Sequence, residues 1–386
     1  MRHNSIELFA GGGGLALGVS NAGFKHEAVL EWNPEACRTL EKNRGVTNWP
    51  HVLQMDVRDF SFRNYEGKID LLAGGPPCQG FSIGGKGLGM DDDRNMFPET
   101  FRAVRELRPK AILIENVKGL LRSSFENYSE FIRLQLSYPT VIQKPGESWK
   151  DHFSRLEKHH TKGKVRDLSY KVVLRLLNAA DYGIPQKRER VFFVGFRSDL
   201  GVDWAFPEPT HSANKLLYDK HISGEYWERN KVPKNSRPRP NTKETGRLKH
   251  LESLFPPNGH AWVTVRDALA GLPDPLNGKA KAIPNHQFIG GARIYPGHTG
   301  SPLDEPSKTL KAGDHGVPGG ENMIAFPDGS VRYFTVREAA RIQTFPDDFI
   351  FEGSWGEMMR QMGNAVPVRL GQVVASSIAL KLNNLE

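Results

Sequence analysis

The sequence predicts an α/β chain in which a largely parallel sheet, helices on both faces, is joined to a smaller, loop-rich domain. Three observations predict it. The first 120 residues alternate short apolar runs with helix-like segments, the pattern of strands linked by crossover helices. Glycine-rich or acidic residues follow those runs directly, where such sheets line their ligand crevice. After residue 200 the composition shifts to glycine, proline and basic residues.

In chain order, Ser5 to Ala10 is a buried strand, Gly11 to Gly14 a turn, and Leu15 to Val19 opens a helix. Glu27 to Glu31 is a second strand, and Pro34 to Leu40 starts a helix. Val52 to Met55, Ile69 to Ala73 and Ala111 to Glu115 are three further strands. In residues 121–168 two helices are expected, Phe125 to Leu136 and Trp149 to His159, around a proline-containing loop. Strands resume at Tyr170 to Leu174 and Arg190 to Phe196; the second is apolar on both faces and therefore central. Arg229 to His250 carries eight Lys/Arg against one Glu. The tail from Phe334 regains a helical pattern and ends on Val368 to Leu382.

Composition narrows the function. A chain of 386 residues with 38% hydrophobic and 25% charged residues has two or three domains and is not disordered throughout. Its two cysteines, Cys37 and Cys78, exclude a disulfide scaffold and a four-cysteine zinc site, and no metal site is expected. Reduced thiols point to the cytosol. No run approaches the ~18 apolar residues of a membrane helix, and Met1 leads directly into a strand, so neither a membrane span nor a leader is expected. The net charge of +8 favours a polyanionic partner.

Candidate chemistry gathers at strand ends. Phe9, Gly11 and Gly13 belong to a turn between strand and helix, where glycines let a ligand approach the backbone; a plain tight turn reads the same. Glu31 ends the next strand, about 20 residues on, where an acid can bind ribose hydroxyls. Asp56 ends the third, within reach of an adenine edge. With no Gly-Lys-Ser/Thr phosphate loop, a nucleoside without phosphates fits this row. Gly74 to Ser82 (GGPPCQGFS) places Cys78 behind two prolines that restrict its backbone, whereas Cys37 lies in a helical stretch and reads as structural. Residues 82–94 read as a mobile loop beside a reactive group. Glu115 ends AILIE; a hydrogen-bonded structural acid is the alternative to one working with the cysteine. Gln186, Arg188 and Arg190 alternate and would share one face of an extended strand. Thr335 to Glu338 is a capping box opening a helix, a structural reading that needs no function; Arg337 and Arg341, one turn apart, could also meet phosphates.

Taken in order, LFAGGGG (8–14), EWN (31–33), DVRD (56–59), GGPPCQGFS (74–82), ENVKG (115–119), DYGIPQKRERVFFVGFR (181–197), REAARIQTFPDDF (337–349) and MGNAVP (362–367) closely resemble the DNA (cytosine-5)-methyltransferase family. The resemblance implies a Rossmann-like, S-adenosylmethionine-dependent methyltransferase sheet in a catalytic domain at 1–200. It implies a target-recognition domain at 201–330, a hinge and DNA-cleft segment at 331–361, and a C-terminal segment, 362–386, that returns to the first domain. Phe9, Gly11, Gly13, Glu31, Trp32, Asp56, Val57, Pro77, Met96 and Asn364 would surround the cofactor. Cys78 would be the nucleophile, Glu115 would contact ring nitrogen 3 and the exocyclic amine of cytosine, Arg190 the carbonyl oxygen, and Arg188 would support the site. Gln79, Ser82, Arg94, Arg293 and Thr309 would meet DNA. The implied partner is double-stranded DNA, with a monomeric enzyme in the bacterial cytoplasm sharing its DNA site with a cognate restriction endonuclease. The tRNA-specific branch carries a Cys-Phe-Thr motif that these two cysteines exclude, and an inactive accessory relative would not need an intact Cys78, Glu115, Arg188 and Arg190.

Overall fold

The computed structural model describes residues 3–47, 49–77, 95–163, 167–252, 256–312 and 322–385. The chain forms two compact units: Met1–Leu177 with Glu189–Pro207 and Gly371–Glu386, and Asn178–Arg188 with Glu208–Leu370.

The first unit holds a sheet of seven strands: β1 (Asn4–Leu8), β2 (Lys25–Glu31), β3 (Val52–Gln54), β4 (Leu71–Gly74), β5 (Ala111–Val117), β6 (Tyr170–Asn178) and β7 (Glu189–Arg197). Their order is β3-β2-β1-β4-β5-β7-β6. The pairs β1–β2, β2–β3, β1–β4 and β4–β5 are parallel, and β5–β7 is antiparallel. The chain works outward from β1 to β3, then restarts on the other side of β1 with β4. The carboxyl ends of β1 and β4 therefore flank the reversal in strand order, where a crevice opens. β4 is buried throughout and β5 in all but its last residue, which is why their sequences are continuous apolar runs rather than alternating ones. On one face, Ile6, Leu8, Leu72, Ile112 and Ile114 belong to a core shared with Phe97, Phe101, Val104 and Leu107. Those four recur at helical spacing along Phe97–Leu107.

The segment 121–168 contains the two expected helices, Glu126–Ser137 and Trp149–Thr161. Ser148 caps the second by accepting from Asp151 N–H at 3.2 Å, the bond a serine cap supplies. Tyr128, Phe131, Ile132 and Leu156 join the core.

The second unit is more helical than its sequence suggests. Ala213–His221 and Thr242–Glu252 pack through Leu217, Leu248 and Leu251, and Leu216, Tyr226, Trp227 and Val232 form another small core. A three-stranded sheet joins Ser301–Pro302, Met323–Ala325 and Val331–Tyr333. Residues 331–370 lie within this unit and the return to the first begins at Gly371, so compactness does not set off 331–361, and 362–370 stays with the second unit. The stretch Trp355–Asn383 has the length and apolar composition of a membrane span. It is nevertheless two helices, Trp355–Asn364 and Val368–Asn383, broken at 365–367 and mostly buried in the protein.

Two expectations are corrected here. Gln186 and Arg188 are not on a strand with Arg190: β7 starts at Glu189, and Gln186 N–H folds back to Ile184 O at 2.7 Å. The extended reading failed because the segment docks on Ser307, whose N–H donates to Pro185 O and whose carbonyl accepts from Lys187 N–H. Arg337 is not a phosphate ligand. It is fully buried and donates to the carbonyls of Pro284, Pro346 and Phe349 at 2.8–3.2 Å. Arg341 pairs with Asp347. The capping box at Thr335 is present.

Candidate active site

The turn after β1 is strained as a ligand-facing turn would be. Phe9 has φ +57°, Gly11 +53° and Gly13 +88°, and only glycine adopts such values readily. A Cβ on Gly13 would stand 2.8 Å from a Leu40 methyl and 2.9 Å from the Trp49 ring, so the turn is pressed onto the helix behind it. Gly11 has open space where a side chain would be.

Glu31, at the end of β2, ties that turn to its own strand. It is 7% exposed; one carboxylate oxygen accepts from Gly11 N–H at 2.7 Å, and the other from Trp32 and Asn33 N–H at 3.0 and 2.8 Å. Trp32 is 72% exposed, a bare aromatic face beside a buried carboxylate. Asp56 gives its carboxylate to the Arg58 guanidinium and N–H, which hold it below the usual carboxylate range. Val57 is buried.

Beyond β4 the chain continues through Gly75, Pro76 and Pro77. Asn116 Nδ2 donates to Pro76 O at 3.0 Å, and Met96 N–H reaches Pro77 O at 3.4 Å. These bonds hold Pro76 and Pro77, the two residues that precede Cys78 in the sequence. Cys78, Gln79, Ser82 and Arg94, with the 82–94 loop, lie outside the described residues.

Glu115, two residues before the end of β5, lies close to Gly75, and Arg190 Nε stands 2.9 Å from its Oε1. Register brings them together: Glu115 pairs with Phe192 and Val117 with Arg190, so acid and arginine are diagonal neighbours on one sheet face. Both side chains are nearly buried, at 9% and 12% exposure. Burial pulls the Arg190 guanidinium down from its ordinary value, against the pull of Glu115. The arrangement puts one carboxyl group and one guanidinium side by side near a strand end.

The remaining predicted residues belong to the second unit. Arg188 is fully buried and donates to Leu310 O at 3.0 Å and Gly363 O at 2.7 Å. Gln186 accepts from Leu310 N–H and donates to Gln343, which donates to Met362 O. A Cβ on Gly363 would overlap the backbone of Lys311 and Ala312, so glycine alone permits that approach. Lys311 and Asn322 exchange two hydrogen bonds, at 3.0 and 2.9 Å. Thr309 donates to Lys187 O, while Arg293 and Asn364 are exposed. Sequence reasoning missed Asn116 and Gln343. Asn116 sits directly after the acid, a signal that was available; Gln343 had none.

Comparison with known proteins agrees with this architecture. A family model described as C-5 cytosine-specific DNA methylase matches residues 3–137 and 150–380. The chain is 36% identical to the Type II methyltransferase M.Eco47II of Escherichia coli, over 98% of this chain and 79% of that protein. It is 35% identical to the Type II methyltransferase M.NgoMIV of Neisseria gonorrhoeae, over 100% of both. The Dnmt2 methyltransferase of S. pombe shares its fold with a TM-score of 0.56 at 16% identity, over 100% of both chains. The chain belongs to the C-5 cytosine-specific DNA methylases and is a DNA (cytosine-5) methyltransferase with a Rossmann-like sheet.

Proposed function

We propose that the chain methylates carbon 5 of a flipped-out cytosine in a specific duplex sequence, through a covalent bond from Cys78 to carbon 6, and that it works as the modification partner of a restriction endonuclease in the bacterial cytoplasm. The observation that carries this reading is the buried Glu115–Arg190 pair beside the Pro76–Pro77 stretch leading to Cys78. The Type II names of its relatives support the modification role.

S-adenosylmethionine, when bound, supplies an electrophilic methyl group. The residues at the carboxyl edge fit that cofactor: Gly11 leaves space beside the backbone, Trp32 offers a stacking face, and Glu31 presents an anchored carboxylate. Phe9, Gly13, Asp56, Val57, Pro77, Met96 and Asn364 complete the proposed set.

Carbon 5 of cytosine is a weak nucleophile. The Cys78 thiolate bonds to carbon 6, and the electron pair of the 5,6 double bond makes carbon 5 nucleophilic. A free thiol ionises near pH ~8.5, so the site must favour the thiolate. Negative charge develops toward nitrogen 3 and the carbonyl oxygen; a protonated Glu115 delivers a proton to the first, and Arg190 stabilises the second. Glu115 and Arg190 hold each other in position until the base arrives and separates them. After methylation, loss of the carbon 5 proton restores the double bond and expels the thiolate. The base is buried in a duplex stack, so it must first be flipped out, at a cost of a few kcal/mol. Arg188 acts as a positioning residue through Leu310 and Gly363.

DNA with 5-fluorocytosine at the target tests the covalent step, because fluorine does not leave as a proton does. We expect an S-adenosylmethionine-dependent enzyme–DNA adduct that survives denaturing electrophoresis and maps to the peptide containing Cys78. Cys78→Ser should form none and should still bind DNA. An adduct at Cys37, or normal activity in Cys78→Ala, defeats the mechanism.

A further inference from the structure

The loop after Glu126–Ser137 and the helix Trp149–Thr161 line an open, surface cavity of about 540 Å³, with Thr140 to Ile142 on one side and Arg155, Lys158, His159 and Lys162 on the other. Positions 155, 158, 159 and 162 follow the i, i+3, i+4, i+7 spacing of one helix face, so basic groups line up along the cavity. Arg155 is balanced by Glu147 at 2.7 Å. Among the described residues, no carboxylate forms an ion pair with Lys158 or Lys162. The Asp167 carboxylate accepts from Leu168 N–H at 2.7 Å and from the Thr140 hydroxyl, and its charge is felt by Arg108 and His159. Like charges one turn apart destabilise a helix, and an anion in the cavity would relieve them.

Two facts separate this cavity from the methylation machinery. The family model matches residues 3–137 and 150–380, so the Thr140 to Ile142 wall and Glu147 lie in the stretch it leaves out. The cavity also lies beside the amino end of β5: Arg105 donates to Pro139 O, and Tyr170 to Pro109 O. Glu115 is four residues along that strand from Ala111, about 13 Å away at ~3.3 Å per residue.

We propose that this cavity is a second, phosphate-binding site, held chiefly by Lys158 and Lys162 with His159 between them. Its ligand is a phosphate oxyanion, from a nucleic-acid backbone or from a small free phosphate compound. Lysines suit it as mobile point charges that accept phosphates in several orientations. The proposal stands independently of the methyl-transfer mechanism.

The full chain is titrated at low salt with pyrophosphate while the His159 ring resonances are followed by NMR. It is titrated separately with a duplex of A·T pairs only, which contains no cytosine. Pyrophosphate should shift His159, and K158A/K162A should weaken its binding roughly tenfold or more, as expected for two lost charge contacts. K158R/K162R should restore binding, which separates lost charge from lost fold, and Lys68→Ala should change nothing. If the double alanine variant also lowers the slope of log affinity against log salt for the duplex by roughly 2, the source is a nucleic-acid backbone. A pyrophosphate effect with an unchanged duplex slope assigns the site to a free phosphate compound. An unmoved His159 together with an unchanged slope overturns the proposal. Neither titration involves methyl transfer, so its failure is distinguishable from failure of the cysteine mechanism.

Discussion

Arg188 and Arg190 stand two residues apart, yet their surroundings differ in kind. Arg188, in the second unit, has no exposed surface and uses its donors on the main-chain carbonyls of Leu310 and Gly363. Arg190, in the first unit, faces a carboxylate near the end of β5 and keeps 12% of its side chain exposed. A guanidinium that satisfies buried carbonyls is architecture, because its partners cannot change without leaving orphaned acceptors. A guanidinium held by a single acid at a crevice can exchange that acid for a ligand. Neighbouring arginines in one motif can thus serve folding and chemistry separately.

The comparison is broken most directly at the acid. Glu115→Gln keeps the shape of the pair but cannot deliver a proton, and turnover should fall by roughly 10²–10⁴ while DNA binding persists. Single-turnover methylation and a DNA-binding titration check both halves; near-normal turnover would move the proton donor elsewhere. On the architectural side, Arg188→Ala should lower the stability of the protein by about 3–5 kcal/mol, since two charged hydrogen bonds go and two carbonyls are left buried. Arg188→Lys should rescue little, because a single ammonium cannot replace the two-pronged guanidinium. Urea denaturation of both variants measures it, and a wild-type midpoint in Arg188→Ala would remove the distinction drawn here.

How far the sequence speaks follows the range of the interaction. The inner strands were legible because burial on both faces forces apolar runs, and AILIE or VFFVGF can be little else; the edge strands β3 and β6 are half-exposed and gave weaker patterns. The helices at 126–137 and 149–161 were legible from their periodicity. Gln186 and Arg188 misled because alternation reports only neighbours two residues away, whereas Ser307, Leu310, Gln343 and Gly363 decide their conformation. Arg337 misled similarly: its face of the helix reads as basic, but three distant carbonyls take it inside. The clustering of Glu31 with the glycine turn could be anticipated from strand ends alone, since parallel strands put successive carboxyl ends side by side. The exposure of Trp32 and the Asn116 bond to Pro76 could not.

A third buried charge sharpens the contrast with the smallest expected effect. Glu7 on β1 is 1% exposed, and its Oε2 has no hydrogen-bond partner among the described residues. Burial pushes its carboxyl well above the ordinary value. A raised pKa in the folded state means that the fold holds a proton the unfolded chain releases. This group's contribution is complete below the unfolded pKa and is lost as pH rises through the folded pKa. Glu7→Gln should therefore gain stability over wild type, with a difference that grows from pH 5 to pH 8 and reaches about 1 kcal/mol or more. Urea midpoints across that range check it; a constant difference would show that Glu7 is ionised in the fold.

The reciprocal bonds between Lys311 and Asn322, the close approach of Gly363 to Ala312 and the Arg188 bonds to Leu310 and Gly363 tie segments far apart in the chain at one point. Residues 188, 310–312 and 363 therefore answer to one another: a substitution at any one of them is felt at the others, and the costs of two such changes should not add.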